Sequence, residues 1–266
     1  MAQFDSLTSR MPNGLTNAAP WQTMGASGLP DPTWSHIYAN DFDTYAAGDW
    51  TIALTGTGTV AKTDFDGGAI LVSNTAGATD SQYVQLTNAG FKIHPGKATF
   101  FKFAGQMSDI LNSTFYCGLV QKGATTIASI TDGIFISKDT STTGALTLHV
   151  RQASTNYQVA LPALNAIVAN TYFELGIMVD YLGNVAAFFN PTTGSNPISA
   201  AAAASGQNRG RDAALYANGG PGPIPPTQTV PVVVPTALLT PAFGLLNASA
   251  AARTLTVDYI VASCER

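Results

Sequence analysis

Apolar and polar residues alternate with a period of two through most of residues 37–190. This period places successive side chains on opposite faces of a β-strand. The runs are short, and each is closed by Gly, Asn, Asp or Pro, with no convincing helical period. The pattern predicts strands in Trp50–Val60, Ala69–Val72, Tyr83–Leu86, Ala98–Phe103, Phe115–Gln121, Gly133–Ile136, Leu146–Gln152, Asn156–Ala160, Phe173–Tyr181 and Val185–Phe189. So many short strands without helices are typical of an all-β sandwich or barrel.

The run from residue 172 to residue 181 shows the two faces of a predicted strand most clearly. The residues predicted to face the core are Phe173, Leu175, Ile177, Val179 and Tyr181. The opposite face carries Glu174 and Asp180. They are six residues apart in sequence, which corresponds to about 20 Å along an extended strand. The two carboxyl groups of a glycosidase lie only about 5–10 Å apart, so this pair does not suit glycoside hydrolysis.

The C-terminal residues predict a closing pair of strands. The first is Ala242–Asn247 and the second is Thr254–Ala262. In the second strand the apolar residues Leu255, Val257, Tyr259 and Val261 alternate with a period of two. A terminal strand this apolar is expected to pair within the sheet.

Residues 1–35 form a separate segment, an extended N-terminal arm. Proline and glycine interrupt any regular period there, yet the segment is too apolar for an ordinary solvated tail. It either wraps its own domain or lies on a neighbouring subunit. In the second case Trp21 and Trp34 are the candidate anchors, because buried aromatic side chains dominate interface energetics.

Residues 36–266 are predicted to form one sandwich domain, interrupted by a long insertion loop at 191–236. The insertion is rich in alanine and then in proline, which cannot donate to a sheet ladder. Its alanine run allows one helical turn, and its prolines favour polyproline II. Val232, Val233 and Val234 are candidate residues for docking on another subunit.

Composition argues against several classes of function. Only 11% of the residues are charged, and the chain has two glutamates and three histidines. These side chains carry most acid–base and metal chemistry, so we expect no catalytic residues and no enzyme activity. The net charge of −4 and the scattered basic residues do not suit a nucleic-acid partner.

No stretch has the roughly 18 apolar residues of a membrane helix, and the N-terminus lacks the apolar region of a signal peptide. We therefore expect the chain to fold in a cytoplasm, without a membrane partner. In that compartment Cys117 and Cys264 are predicted to be unpaired thiols.

No metal or other cofactor is predicted. Asp64 and Asp66 precede Gly67-Gly68 as in the start of a calcium loop, but the remaining ligands are missing, so a plain turn is favoured. The three histidines lie far apart in sequence, and we expect them to be exposed or hydrogen-bonded. Exposed tyrosines could stack on a sugar ring, although a structural role is the commoner one; the candidates are Tyr83, Tyr157 and Tyr216.

Several motifs, in order, give a resemblance to a known family. They are Asn40-Asp41-Phe42-Asp43 with Trp50, Gly67-Gly68, Asp132-Gly133-Ile134, Asn170–Gly176 and Leu255–Ile260. The chain resembles concanavalin A-like jelly-roll proteins, and more narrowly virion proteins of tailed phages. The resemblance implies two antiparallel sheets with the first and last strands as neighbours. Glucanases of this fold would need closely spaced Glu, Asp and Glu on one strand, which this sequence lacks.

The resemblance leads us to expect a capsid decoration, or cement, protein. It would bind the major capsid protein on the outer surface of the virion, bridge capsomers and stabilise the shell after assembly in the host cytoplasm. A symmetric homo-oligomer, dimer or trimer, is expected at such sites. The alternative is a glycan-binding module of a phage tail fibre or spike, because lectins share the fold.

Overall fold

The computed structural model describes residues 35–266, except residues 66, 89, 95, 141–143, 162–165, 181–182, 184, 193–214 and 217–233. Within these residues, two antiparallel sheets contain 15 strands and pack face to face. The prediction of an all-β sandwich of two antiparallel sheets is confirmed. No described helix has the length and apolar character needed to span a membrane.

One sheet has seven strands, numbered here in chain order. Across the sheet they are β10 (Thr155–Ala160), β9 (Leu146–Gln152), β8 (Gly133–Lys138), β7 (Ser113–Gln121), β14 (Leu239–Asn247), β5 (Ser81–Leu86) and β2 (Trp50–Thr55). A short 3-10 turn, Ala47–Asp49, precedes β2.

The other sheet has eight strands. Across it lie β13 (Leu215–Tyr216), β12 (Val185–Thr192), β11 (Tyr172–Val179), β6 (Thr99–Met107), β15 (Arg253–Glu265), β4 (Ala69–Asn74) and β3 (Gly58–Thr63). The eighth strand, β1 (Ser35–Asn40), pairs with the C-terminal half of β15, on the edge where β4 pairs with its N-terminal half. The first and last described strands are therefore neighbours, as the resemblance implied.

The main core lies between the two sheets and is centred on phenylalanines. The Phe103 ring centroid lies 5.4 Å from that of Phe115, 6.1 Å from that of Phe173 and 6.0 Å from that of Phe243. Trp50 extends the cluster toward the edge, 5.6 Å from Phe243. Aromatic pairs at these separations add to the stabilisation from apolar burial, which explains the two-residue period of the sequence.

The predicted single strand over residues 50–60 is wrong. The chain forms β2 and β3 there, and each belongs to a different sheet. Gly56 lies between them with φ of 76°, a left-handed conformation that glycine adopts without a Cβ penalty. A Cβ at this position would also collide with the Asp80 carboxylate. The alternation of apolar and polar residues continues across the point where the chain passes from one sheet to the other, so the sequence does not mark this crossover.

The alternating residues of the last strand do not all lie on one face of the sheet. The register of β15 shifts between Val257 and Tyr259, which marks a β-bulge at Asp258. After the bulge, Ile260, Ala262 and Cys264 belong to the main core, whereas Tyr259 and Val261 lie in a small cluster on the outer face. The extra residue reverses the facing of every side chain that follows.

Two smaller findings complete the fold. β12 continues through Pro191, opposite Phe173 in β11, to Thr192, so the predicted loop start at residue 191 is two residues early. Cys117 and Cys264 are both free thiols, as predicted.

Candidate functional site

The outer face of the seven-stranded sheet points away from the other sheet. Its seven strands contain no aspartate or glutamate, and their only lysine and arginine are Lys138 and Arg151. Lys138 is fully buried, and burial lowers its pKa to about 8. The only charge that these strands expose is therefore the half-buried Arg151 guanidinium.

Five polar side chains form a continuous network on this face, called here the outer-face network. They are Ser137 in β8, His149 and Arg151 in β9, and Asn156 and Gln158 in β10. The register places Gln158 directly opposite His149, and Asn156 opposite Arg151. Directly opposed side chains in antiparallel strands are close enough to interact, which brings these residues together.

A tight hairpin fixes this pairing. β9 and β10 are joined by Ala153 and Ser154 alone, with φ of 46° and 69°. Two central residues with positive φ form a type I′ turn, whose twist matches that of the flanking strands. The turn sets the register and so sets which polar groups meet.

The hydrogen bonds of the network fix the state of the imidazole. The Arg151 Nε–H donates to Asn156 Oδ1 over 3.2 Å, and a guanidinium can only donate, so the amide oxygen faces both side chains. The same oxygen lies 3.3 Å from His149 Nδ1, so Nδ1 carries the proton and donates. His149 Nε2 then accepts a hydrogen bond from the Ser137 hydroxyl over 2.8 Å.

The surroundings of His149 favour its neutral form. The imidazole stacks on the Phe135 ring at 4.7 Å and 10°, and the Arg151 guanidinium lies 5.1 Å from the centre of the same ring. Burial lowers the pKa of His149 to about 4; the bond to Asn156 opposes this shift, and the nearby Arg151 charge adds to it. At neutral pH the imidazole is an uncharged hydrogen-bonding group.

Residues 122–132, called here the covering loop, pack over one side of the network. Its Ala124, Ile127 and Ile130 contact the outward-facing rings of Tyr83, Tyr116 and Phe135, forming a second, smaller core. The Arg151 Nη1 group donates to the carbonyl oxygens of Ile127 and Ile130 over 2.6 and 3.0 Å. Gln85 attaches the other end of the loop through Gly123 N–H and Ala124 C=O.

The network runs from buried to exposed groups. Ser137 and His149 are 8% and 7% exposed, whereas Asn156 and Gln158 are open to solvent. The Asn156 amide donates to Gln158 Oε1 over 3.1 Å, which orients both amides. Half-buried Thr147 lies beside them on β9, directly opposite Ser137. The amides of Asn156 and Gln158 and the Thr147 hydroxyl, called here the amide edge, therefore border the buried Ser137–His149 pair.

The outer face of the eight-stranded sheet is different, because it carries an ion pair between Lys102 and Glu174. The Tyr259 hydroxyl donates to Glu174 Oε1 over 2.7 Å, and the Lys102 Nζ lies 3.3 Å from Glu174 Oε2. Lys102 also lies 5.2 Å from the centre of the Tyr259 ring. Nearby, exposed Phe65 stacks on Tyr172 at 5.1 Å.

Most of the site residues predicted from the sequence are not tested by the structure. Trp21, Trp34, Val232 and Val233 lie outside the described residues. Val234 is described; it is half-buried and packs against the main core.

Two of the three tyrosines considered for sugar stacking do not present a free ring. Tyr83 is 3% exposed beneath the covering loop, and half-buried Tyr157 packs against the main core. Tyr216 lies in β13. In the candidate calcium turn, Asp64 is exposed, and Asp66 lies outside the described residues.

Sequence reasoning missed the outer-face network, although a signal for it exists. Thr147, His149 and Arg151 alternate with the apolar residues of β9, so the period alone places them on one outer face. Only the hairpin register adds the amides of β10. The sequence predicts that His149 is exposed or hydrogen-bonded, and the structure shows that it is hydrogen-bonded.

Comparisons with known proteins show similarity in structure and none in sequence. No protein-family profile and no curated protein sequence matches the chain. An endo-1,3-beta-glucanase from Streptomyces sioyaensis has a TM-score of 0.55 at 11% identity, covering 93% of this chain and 99% of the glucanase. A lichenase from a mouse hindgut metagenome has a TM-score of 0.53 at 9% identity, covering 85% and 98%. Peanut lectin has a TM-score of 0.52 at 10% identity, covering 86% and 97%.

These similarities correct one expectation and confirm another. We expected no enzyme activity from the composition of the chain. That expectation is wrong, because two proteins with the same fold are named as glucanases. Identities near 10% establish the fold alone, and the phage virion identity is not confirmed. The chain thus has the concanavalin A-like jelly-roll fold, which it shares with lectins and glucanases.

Proposed function

We propose that this protein binds a neutral saccharide on the outer face of the seven-stranded sheet, along the edge formed by Thr147, Asn156 and Gln158. The observation that carries the proposal is the fixed orientation of the two exposed amides, which Arg151 and their mutual hydrogen bond hold in place. Preorganised polar groups lose little conformational entropy when a ligand binds. Asn156 Oδ1 is already engaged by Arg151 and His149, so the groups offered to a sugar are the remaining amide N–H donors and the second lone pair of Gln158 Oε1.

The charge distribution supports a neutral ligand. The seven strands carry no carboxylate, and Arg151 is already engaged with Asn156 and with the covering loop. A phosphate or nucleic-acid ligand would instead require several available cations. A two-carboxylate glycosidase mechanism would require acids that these strands do not contain.

The lectin and the two glucanases support the same class of ligand, because their names describe carbohydrate-binding or glycan-acting proteins of this fold. Of the two functions considered from the sequence, glycan binding therefore has the better support. The capsid decoration role stays a prediction, since Trp21 and Trp34 lie outside the described residues.

The experiment is a titration of the full chain with neutral oligosaccharides by calorimetry, after an array screen with β-1,3-glucan and β-1,3-1,4-glucan fragments included. We expect Asn156→Ala and Gln158→Ala each to weaken binding by about fivefold, the loss of roughly one hydrogen bond. The matched control is Asn88→Ala, which removes an exposed asparagine outside the seven strands. Assaying the same mixtures for new reducing ends reports any cleavage.

Two results would contradict the proposal. One is an array without reproducible saccharide retention. The other is saccharide binding that neither amide substitution changes, which would move the site elsewhere. A position on a phage tail fibre or spike is a separate prediction, and counting copies of the chain per virion by mass spectrometry would check it. A copy number close to that of the capsid protein, or a simple fraction of it, would instead favour decoration.

A further inference from the structure

The innermost part of the outer-face network has the geometry of a nucleophile with its base. The Ser137 Oγ lies 2.8 Å from His149 Nε2, within the reach that proton transfer requires. The opposite ring nitrogen, Nδ1, is oriented by Asn156 Oδ1 at 3.3 Å. A nucleophile, a base and a third group that orients the base form the arrangement of Ser–His and Cys–His hydrolases on unrelated folds.

We propose that Ser137, His149 and Asn156 form an acyl-transfer site that hydrolyses a carboxylic ester of a saccharide bound at the adjacent amide edge. The saccharide half of this substrate rests on the proposed function. The ester half rests on the Ser–His–Asn geometry alone. No aspartate or glutamate occurs in the seven strands, so these strands supply no carboxylate as base or nucleophile.

The reaction balances with water as the second substrate. His149 Nε2 takes the Ser137 proton as Oγ attacks the ester carbonyl carbon, and the resulting oxyanion collapses as the C–O bond to the sugar breaks. Nε2–H returns the proton to the leaving sugar oxygen, which leaves an acyl group on Ser137. Water then attacks this acyl group with the same proton transfers and releases the carboxylic acid and free Ser137.

The surrounding side chains assign supporting roles. The Thr147 hydroxyl, on the residue directly opposite Ser137, is the donor that we assign to the oxyanion. Asn156 is a positioning residue, because it keeps the proton on Nδ1 and the lone pair on Nε2. Arg151 holds the Asn156 oxygen toward the ring, and its charge also disfavours an imidazolium.

The rate is expected to depend on pH in an unusual way. The charged side chain that bears on His149 is Arg151, whereas Ser137 and Phe135 from β8 and Asn156 and Gln158 from β10 are neutral. The pKa of His149 is lowered to about 4, so the base is unprotonated above that pH. The acid limb of the profile should therefore fall near pH 4.

The test uses the full chain with two probes, 4-nitrophenyl acetate for rate and a fluorophosphonate for covalent labelling. We expect Ser137→Ala and His149→Gln each to lower the rate at least 100-fold, and the label to be found by mass spectrometry on Ser137. Ser81→Ala is the matched control, since Ser81 is another buried serine on β5 of the same sheet. Its rate should equal that of the wild type.

Asn156→Asp separates a positioning role from a structural one. A carboxylate beside Nδ1 would favour the imidazolium, so the acid limb should move upward by roughly one pH unit or more. Equal rates for wild type and Ser137→Ala, or a label on another residue, would overturn the proposal. Because 4-nitrophenyl acetate contains no sugar, saccharide binding without ester hydrolysis would overturn this site and leave the proposed function intact. Hydrolysis of 4-nitrophenyl acetate without saccharide binding would overturn the proposed saccharide function and leave the Ser137–His149–Asn156 site intact.

Discussion

The two outer faces of the sandwich use polar groups in opposite ways. On the eight-stranded sheet, Glu174 is held by Tyr259 and Lys102, so a charged group stabilises the surface of the sheet. On the seven-stranded sheet, neutral groups form a network that ends in exposed amides. One face is therefore stabilised by a charged pair, whereas the other presents neutral hydrogen-bonding groups to solvent.

This difference shows why a count of acidic residues is a poor guide to function here. Glu174 has the residue type that catalysis favours, but its two carboxylate oxygens have structural partners. His149 has a neutral environment and an ordered tautomer, and it lies beside an exposed edge. Function on this fold depends on the arrangement of a site more than on the number of its ionisable groups.

The largest expected effect concerns the pH dependence of stability on the seven-stranded face. The folded-state pKa of His149, about 4, lies below the ordinary value of 6.5. Between these values the unfolded chain binds a proton that the folded chain does not. The stabilisation from neutral His149 is thus complete above about pH 6.5 and is lost as pH falls through 4, by up to about 3 kcal/mol.

Urea unfolding at pH 4, 5.5 and 7 checks this prediction. His149→Gln should remove most of the difference between pH 4 and pH 7, while His94→Gln, at an exposed histidine, should keep it. If both variants retain the wild-type pH dependence, the face is not organised around a neutral imidazole. The contrast between the two faces would then fail.

The second effect tests how tightly the outward-facing rings are packed. A Cβ on Gly244 would collide with the Tyr116 ring and lie 2.9 Å from the Gln82 carbonyl oxygen. Gly244→Ala should therefore reduce the free energy of unfolding by about 2 kcal/mol. Gly48→Ala is the control, because nothing lies within 4 Å of its Cβ position. Thermal unfolding of the two variants would show equal stability if the rings were loosely packed.

The strands were predictable because their alternation reflects burial. Leu146–Gln152 was predicted with its exact bounds, since Leu146, Leu148 and Val150 all enter the main core. The bulge at Asp258 was not predictable, because Tyr259 and Val261 are apolar and continue the period while facing outward. Where both faces of a strand carry apolar side chains, a one-residue bulge does not change the apolar pattern of the sequence, so the pattern cannot reveal it.

The site was predictable only in part, because its members come from three strands. The period of β9 places His149 and Arg151 on an outer face, but neither Ser137 nor Asn156 is adjacent in sequence. Asn156 is brought in by the hairpin at Ala153 and Ser154, which lacks the usual Asn-Gly or Asp-Gly signal. Ser137 is brought in by the pairing of β8 with β9. The sequence shows which polar side chains these strands carry, but it does not show the strand register that brings them together.

The third effect tests whether the charged face is structural. Tyr259→Phe removes the hydrogen bond to Glu174 and keeps the buried ring, so it should cost about 1 kcal/mol of stability. Saccharide affinity and ester hydrolysis should not change, because Tyr259 lies on the other sheet. Chemical denaturation and calorimetry on the same preparation measure both quantities. A loss of affinity at constant stability would assign the ligand site to the eight-stranded face.

The smallest effect is expected at Lys102, on the same charged face. Its side chain is 31% exposed and that of Glu174 is 28% exposed, so solvent screens the pair, which contributes about 0.5 kcal/mol. Lys102→Met keeps the packing of the aliphatic stem and removes the charge. Its small destabilisation should disappear in 1 M salt, because the Debye length then falls to about 3 Å. A salt-independent loss would mean that the Lys102 ammonium acts through its contact with the Tyr259 ring, 5.2 Å from the ring centre, and not through a screened ion pair with Glu174.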